Sequence, residues 1–253
     1  METITFIGNG NMALSIAEGL KSEYKLEVVG RSMQKLEAFE QKLGVEVERS
    51  LLENFNIEGK TLMLCVKPAN VAEVSEKLKG KARVLYSVLA GVTLSTLKTS
   101  FNTNAVVRTM PNLAASVQKS MTTLTGDTAF EEEAHKLLGA IGKTRWLGSE
   151  KEIDIATALA GSGPAYLALV AEALADGAVK QGLKRDDAMA IMRGLFSGFG
   201  ELIETIHPAL LKDGVMSPGG TTAAGYGALE EANVRNGCIK AIEEAYKKAK
   251  ELS

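Results

Sequence analysis

Hydrophobic and polar positions change their rhythm part-way along the chain. Up to about Leu147, short β-branched and apolar runs fall at residues 4–7, 26–29, 61–66, 84–88, 105–108, 122–125 and 144–147. Between many of them apolar positions recur at helical spacing, at 33–43, 71–78 and 131–141, the last with Ala134, Leu137, Leu138 and Ile141 on one face. Strands alternating with helices predict a parallel, doubly wound sheet. The unbroken apolar character of the inner runs predicts helices on both of its faces. After Leu147 the strand pattern stops. Residues 150–159, 165–181, 185–206, 223–233 and 239–252 read as helices. Residues 166–179 are apolar nearly all round, as in a helix buried deep or held between subunits. The expected class is therefore α/β, with a doubly wound domain over residues 1–148 and an all-helical dimerisation domain over 149–253.

The first run leads straight into Gly8-Asn9-Gly10-Asn11-Met12-Ala13, a G-x-G-x-x-A pattern that opens a helix running through Leu20. The first glycine allows a tight turn, the second lets the backbone approach a pyrophosphate, and the small third residue packs helix on strand. Free N–H groups at the helix start attract the anion. This context makes the first domain Rossmann-type and Ile7, Gly8, Asn9, Gly10, Asn11 and Met12 candidate dinucleotide ligands. The second strand ends in Val28-Val29-Gly30-Arg31-Ser32. An NAD site usually has a carboxylate there for the ribose 2′-OH. Arg31 and Ser32 offer a charge and a hydroxyl to a 2′-phosphate instead. NADP(H) is the expected cofactor, with NAD(H) a poorer alternative.

Other strand ends carry Val66-Lys67-Pro68, Ser87-Val88-Leu89-Ala90-Gly91 and Arg108-Thr109-Met110-Pro111-Asn112. Each alone reads equally as turn chemistry; together they ring the ligand-binding edge of one sheet. In the helical half, Ala160-Gly161-Ser162-Gly163-Pro164 reads as a helix start with proline at a first helical position. Ser217-Pro218-Gly219-Gly220-Thr221-Thr222 precedes another helix. It reads evenly as an anion-binding nest for a carboxylate or as a plain cap with threonine capping.

Composition narrows the function. The 29 Lys+Arg against 31 Asp+Glu give a net charge of −2, which argues against bulk nucleic-acid binding. The start has no basic segment before a long apolar one, and no segment reaches the ~18 apolar residues of a membrane span. A cytoplasmic protein without membrane or nucleic-acid partners is expected. Cys65 and Cys238 are far apart and read as buried thiols. Of the two histidines, His135 reads as solvent-facing and His207, before Pro208, as capping or packing. No nucleophile–base pair and no metal-ligand cluster is legible. Hydride transfer to an already protonated imine suits this inventory, since the cofactor carries the chemistry.

Several blocks make the chain resemble the pyrroline-5-carboxylate reductases over essentially its whole length. They are Phe6-Ile7-Gly8-Asn9-Gly10-Asn11-Met12-Ala13, Val66-Lys67-Pro68, Arg108-Thr109-Met110-Pro111-Asn112, Gly161-Ser162-Gly163-Pro164-Ala165-Tyr166, and the stretch from His207-Pro208 through Lys212-Asp213 and Ser217-Pro218-Gly219-Gly220-Thr221-Thr222 to Leu229-Glu230. The resemblance implies reduction of the small-molecule imine L-1-pyrroline-5-carboxylate to L-proline, the last step of proline biosynthesis. It implies a homodimer, in some relatives assembled into a larger ring. By the same likeness Ser217, Gly219, Gly220, Thr221 and Thr222 hold the substrate, with Thr222 on the ring nitrogen as the catalytic residue. Glu150 contacts the ligand, Glu152 being the neighbouring candidate. Val66, Lys67, Ala90 and Asn112 line the cofactor. Met216, Asn9 and residues 52–60 depart from the usual pattern. A β-hydroxyacid dehydrogenase and a non-catalytic NADP-binding sensor are the alternatives: the first lacks its expected glycine and asparagine around Lys180, and the intact 217–222 stretch argues against the second.

Overall fold

β1 (Thr3–Ile7) is an inner strand of an eight-stranded sheet, and its apolar run is buried almost completely on both faces. The computed structural model describes residues 1–252. After β1 come α1 (Asn11–Leu20), β2 (Lys25–Gly30), α2 (Met33–Leu43), β3 (Glu48–Leu51), the two-residue β4 (Phe55–Asn56), β5 (Thr61–Leu64), α3 (Val71–Glu76), β6 (Leu78–Lys79), β7 (Val84–Ser87) and α4 (Leu94–Ser100). Then follow β8 (Val106–Met110), β9 (Ser120–Gly126), α5 (Glu131–Gly139), β10 (Gly142–Trp146) and α6 (Glu150–Ala156). The main sheet runs β10-β9-β8-β7-β5-β1-β2-β3, while β4 and β6 pair separately. The order reverses at β1, with β2 on one side and β5 on the other, and both pairings are parallel. Ligands of open α/β sheets bind beyond the strand ends at such a switch point.

Alternation along β1 divides the core. Ile4 and Phe6 join Ile16, Leu20, Val28 and Leu36 on one side of the sheet. Ile7 joins Val29, Leu62, Leu64 and Leu85 on the other. One pair departs from the parallel expectation: β8 and β9 are antiparallel. Only residues 111–119 separate them, and these hold a short 3₁₀ turn. A parallel return needs a crossover of about a dozen residues or more. The edge strand β3, sequence Glu-Arg-Ser-Leu, is almost wholly exposed and so lacked the apolar run that marks inner strands.

The chain divides into two compact units, Met1–Ser162 joined by the end of the chain from Glu244, and Gly163–Glu243. α6 and a following π-helical turn (Thr157–Gly161) belong to the first compact unit. The second unit holds α7 (Gly163–Lys180), α8 (Arg185–Leu202), α9 (Pro208–Val215), α10 (Thr221–Glu231) and the first half of α11 (Val234–Leu252). Pro164 stands in the first turn of α7, as a helix-start proline does, while the helical stretch as a whole runs with a single turn residue, Ser162, from Glu150 to Lys180. Contrary to the sequence expectation, that stretch is long and apolar enough to cross a membrane by length and composition. Leu167, Leu169, Val170 and Leu174 on α7 and Ile191, Leu195 and Phe199 on α8 are exposed in the single chain. Cys238 is exposed as well, against expectation, while Cys65 is partly covered.

Candidate functional site

A cleft of about 340 Å³ opens at the switch point. It gathers Ile7, Gly8, Asn9, Gly10, Arg31, Val66 and Lys67 from the expected set, and adds Val29, Gly30, Lys35, Leu52, Cys65, Asn70 and Val74. Gly8 has φ +107°, and a Cβ there would lie 2.7 Å from the Cys65 carbonyl oxygen. That position is glycine because the fold demands it. Gly10 is different. A Cβ on it would meet nothing within 4 Å, so the fold leaves room there that a bound group would use. Gly10 is the N-cap of α1, no side chain caps that helix, and no acidic residue stands in its first turn. Asn11 and Met12 supply its first two residues, and Ala13 is fully buried behind them. Bare N–H groups behind an open glycine fit a pyrophosphate.

Asn9 Nδ2 donates to the Lys35 carbonyl at 3.1 Å, tying the glycine turn to α2. Ser32 is the N-cap of α2 but its hydroxyl does not cap it. Arg31 and Lys35 line the cleft on either side of Ser32. Two cations, an uncommitted hydroxyl and a helix start suit a phosphate monoester. Lys35 was not singled out from sequence; its one signal was a place in the first turn of the helix that follows Arg31 and Ser32. Burial pushes the Cys65 thiol pKa up, so the thiol at the cleft stays neutral and unreactive.

Ala90 and Asn112 lie outside that cleft. Ala90 is exposed after β7. Asn112 is committed within the first unit: Oδ1 accepts from Ala114 N–H at 3.1 Å and Nδ2 donates to the Ala160 carbonyl at 3.0 Å. The second bond has a cause in the sequence. Pro164, four residues after Ala160, has no N–H to offer that carbonyl, and Asn112 supplies the missing donor.

Glu150 is also committed. Its Oε1 accepts from Arg108 Nη1 at 2.8 Å and from Leu94 N–H at 2.7 Å. Arg108 is 1% exposed and gives Nη2 to Asp154 at 2.9 Å. Glu152 accepts from Gly148 N–H at 2.7 Å, while Ser149 caps α6. These bonds give both carboxylates partners within the first unit.

In the second unit, residues 217–220 form a tight turn closed by Gly220 N–H to the Ser217 carbonyl at 3.0 Å. Pro218 occupies its second position and Gly219, φ +72°, its third, as a type II turn requires. Gly220 is the N-cap of α10, again with no side-chain cap and no acid in the first turn. Threonine therefore does not cap this helix: Thr221 and Thr222 are its first two residues, both exposed. Lys212 Nζ on α9 sits 5.6 Å from the Tyr226 ring on α10, stitching the helices on either side of the turn. His207 accepts from Ala209 N–H at 3.2 Å and caps α9. Among the described residues no metal-binding cluster occurs.

Residues 150–252 match the family model "Pyrroline-5-carboxylate reductase dimerisation", and residues 3–91 match "NADP oxidoreductase coenzyme F420-dependent". The chain is 37% identical over 266 residues to pyrroline-5-carboxylate reductase of Pisum sativum, covering 99% of this chain and 96% of the pea protein. The chain belongs to the pyrroline-5-carboxylate reductase family. A pyrroline-5-carboxylate reductase from Coxiella burnetii has a similar structure, with TM-score 0.84, 32% identity and coverage of 99% and 98%. The Plasmodium falciparum enzyme, solved with NADP bound, gives TM-score 0.81 at 25% identity and 99% coverage of both chains. The part matched to the dimerisation model includes α7 and α8, whose apolar faces are exposed in the single chain. The α/β class with its helical C-terminal domain, the NADP(H) cofactor and the dimer all stand as pyrroline-5-carboxylate reductase features.

Proposed function

We propose that this chain reduces L-1-pyrroline-5-carboxylate to L-proline with NADPH, in the cytoplasm, as the last step of proline biosynthesis. The observation that carries the reading is the open Gly10 and the uncapped start of α1 inside the switch-point cleft, on a chain of this family. When bound, NADPH supplies the hydride that forms the new C–H bond. The chain's own residues do the rest. N–H groups at the start of α1 hold the pyrophosphate. Arg31, Ser32 and Lys35 hold the 2′-phosphate, with NADH as the poorer donor. Val66 and Lys67 line the cleft alongside them.

In the second unit the N–H groups of Thr221 and Thr222 receive the substrate carboxylate at the uncapped start of α10, and the turn from Ser217 through Gly219 and Gly220 shapes their approach. Thr222 Oγ1 accepts a hydrogen bond from the iminium N–H and keeps the nitrogen protonated. As the C–H bond forms, the C=N π pair settles on that nitrogen, so no general base is needed. The dimer is the working unit, and assembly of dimers into a larger ring belongs to the same reading. The test is loss of NADPH absorbance with L-1-pyrroline-5-carboxylate, beside NADH and beside a β-hydroxyacid panel. Rapid turnover of the imine alone supports the reading. NADPH binding without imine turnover rejects it in favour of a sensor.

A further inference from the structure

We propose that Glu73 sets how strongly this chain discriminates between the phosphorylated and the unphosphorylated dinucleotide. The proposal rests on the reading of Arg31 as a ligand of the 2′-phosphate. Arg31 does not simply project into water. Its Nη1 lies 3.5 Å from Glu73 Oε2 on α3. The cleft is lined by Arg31 on one side and by Asn70 and Val74, which flank Glu73, on the other. The ion pair therefore reaches across the rim of the cofactor cleft.

The pair is built to be exchanged. Its side chains are 62% and 43% exposed, and exposed pairs are weak and screened by salt. A phosphate monoester carries nearly two charges against one on a carboxylate, so it can take Arg31 away. Glu73 is not stranded when that happens. Its other oxygen lies 3.3 Å from Lys77, which itself lies 3.5 Å from Glu53. The rim thus carries alternating charges, Arg31, Glu73, Lys77 and Glu53, from which one cation can be lent.

The cost falls on one cofactor only. NADPH must displace Glu73 from Arg31 and then sit near the carboxylate it displaced. NADH brings no phosphate, and Arg31 stays paired instead of facing a ribose alone. Glu73 thereby narrows the gap between the two dinucleotides without touching the shared pyrophosphate site.

The experiment is titration of the full-length protein with NADPH and with NADH, followed by cofactor fluorescence, at low and high salt. Glu73→Gln keeps the shape and removes the charge; Glu73→Asp keeps the charge. Glu73→Gln is expected to lower the NADPH Kd about fivefold at low salt. The NADH Kd should move less than about twofold, and the NADPH gain should shrink at high salt. Glu73→Asp should hold the wild-type ratio. An unchanged NADPH Kd in Glu73→Gln, or equal tightening for both cofactors, overturns the proposal. Arg31→Ala separates the two levels. If it weakens NADPH selectively while Glu73→Gln changes nothing, the role of Glu73 falls and the 2′-phosphate reading stands. If it weakens both cofactors equally, both fall.

Discussion

Two glycines two positions apart in one motif answer to different masters. Gly8 is fixed by backbone: positive φ and a carbonyl 2.7 Å from any Cβ. Gly8→Ala is expected to lose about 1–3 kcal/mol or more of stability, read as a lower denaturant midpoint. Gly10 is open to the cleft. Gly10→Ala should melt like the wild type yet bind NADPH and NADH more weakly, in equal proportion, because the pyrophosphate is common to both. Equal binding to wild type would show that nothing needs that space. Asn112 tests the reverse case. Asn112→Ala leaves the Ala160 carbonyl without a donor, and about 1–3 kcal/mol of stability should go with it, seen in urea unfolding, with the NADPH Kd little changed. The glycine pattern and Arg31 were legible because spacing along the chain fixed them. Asn112's bond to Ala160 was not, since the partner lies 48 residues away and only the absent N–H of Pro164 hinted at it.

Among the elements, those buried on both faces announced themselves and the edges did not. β1, β5 and β7 are apolar runs because helices cover both their faces. β3 is polar because one side meets water, and β9 turned back because its connection is short. The glycine-rich stretch before α10 was legible as a helix start; the type II turn of Pro218 and Gly219, and that no threonine caps the helix, were not. The β8–β9 pair also carries a pH-sensitive rivet. Asp127 accepts from Val106 N–H at 2.7 Å and from Lys98 Nζ at 2.9 Å. Burial alone would raise its pKa, but those hydrogen bonds outweigh it, and the carboxyl titrates below its usual value of 3.8. A depressed carboxyl contributes stability above the unfolded pKa and loses it as pH falls through the folded one. Wild-type stability should therefore fall more steeply below pH ~4 than that of Asp127→Asn, in thermal melts across an acid series. Parallel slopes would remove Asp127 from the account.

At the scale of the molecule, the helical unit cannot hide its own apolar surface. Among the described residues only Ala175 and Ala188 of its core-type side chains are buried, while Leu169 is 67% and Leu210 66% exposed. A second copy is what completes it, and light scattering at micromolar concentration should return a dimer, with no folded monomer at the dilution where helix content is kept. The all-round apolar stretch at 166–179 made that partner legible, although nothing in the sequence resembles a linker. The chain leaves its first unit inside a helix, through the π turn at Thr157–Gly161 and past Pro164. For anyone wishing to separate the two units, that feature matters: a cut there severs a helix and leaves bare carbonyls on one piece and bare N–H groups on the other.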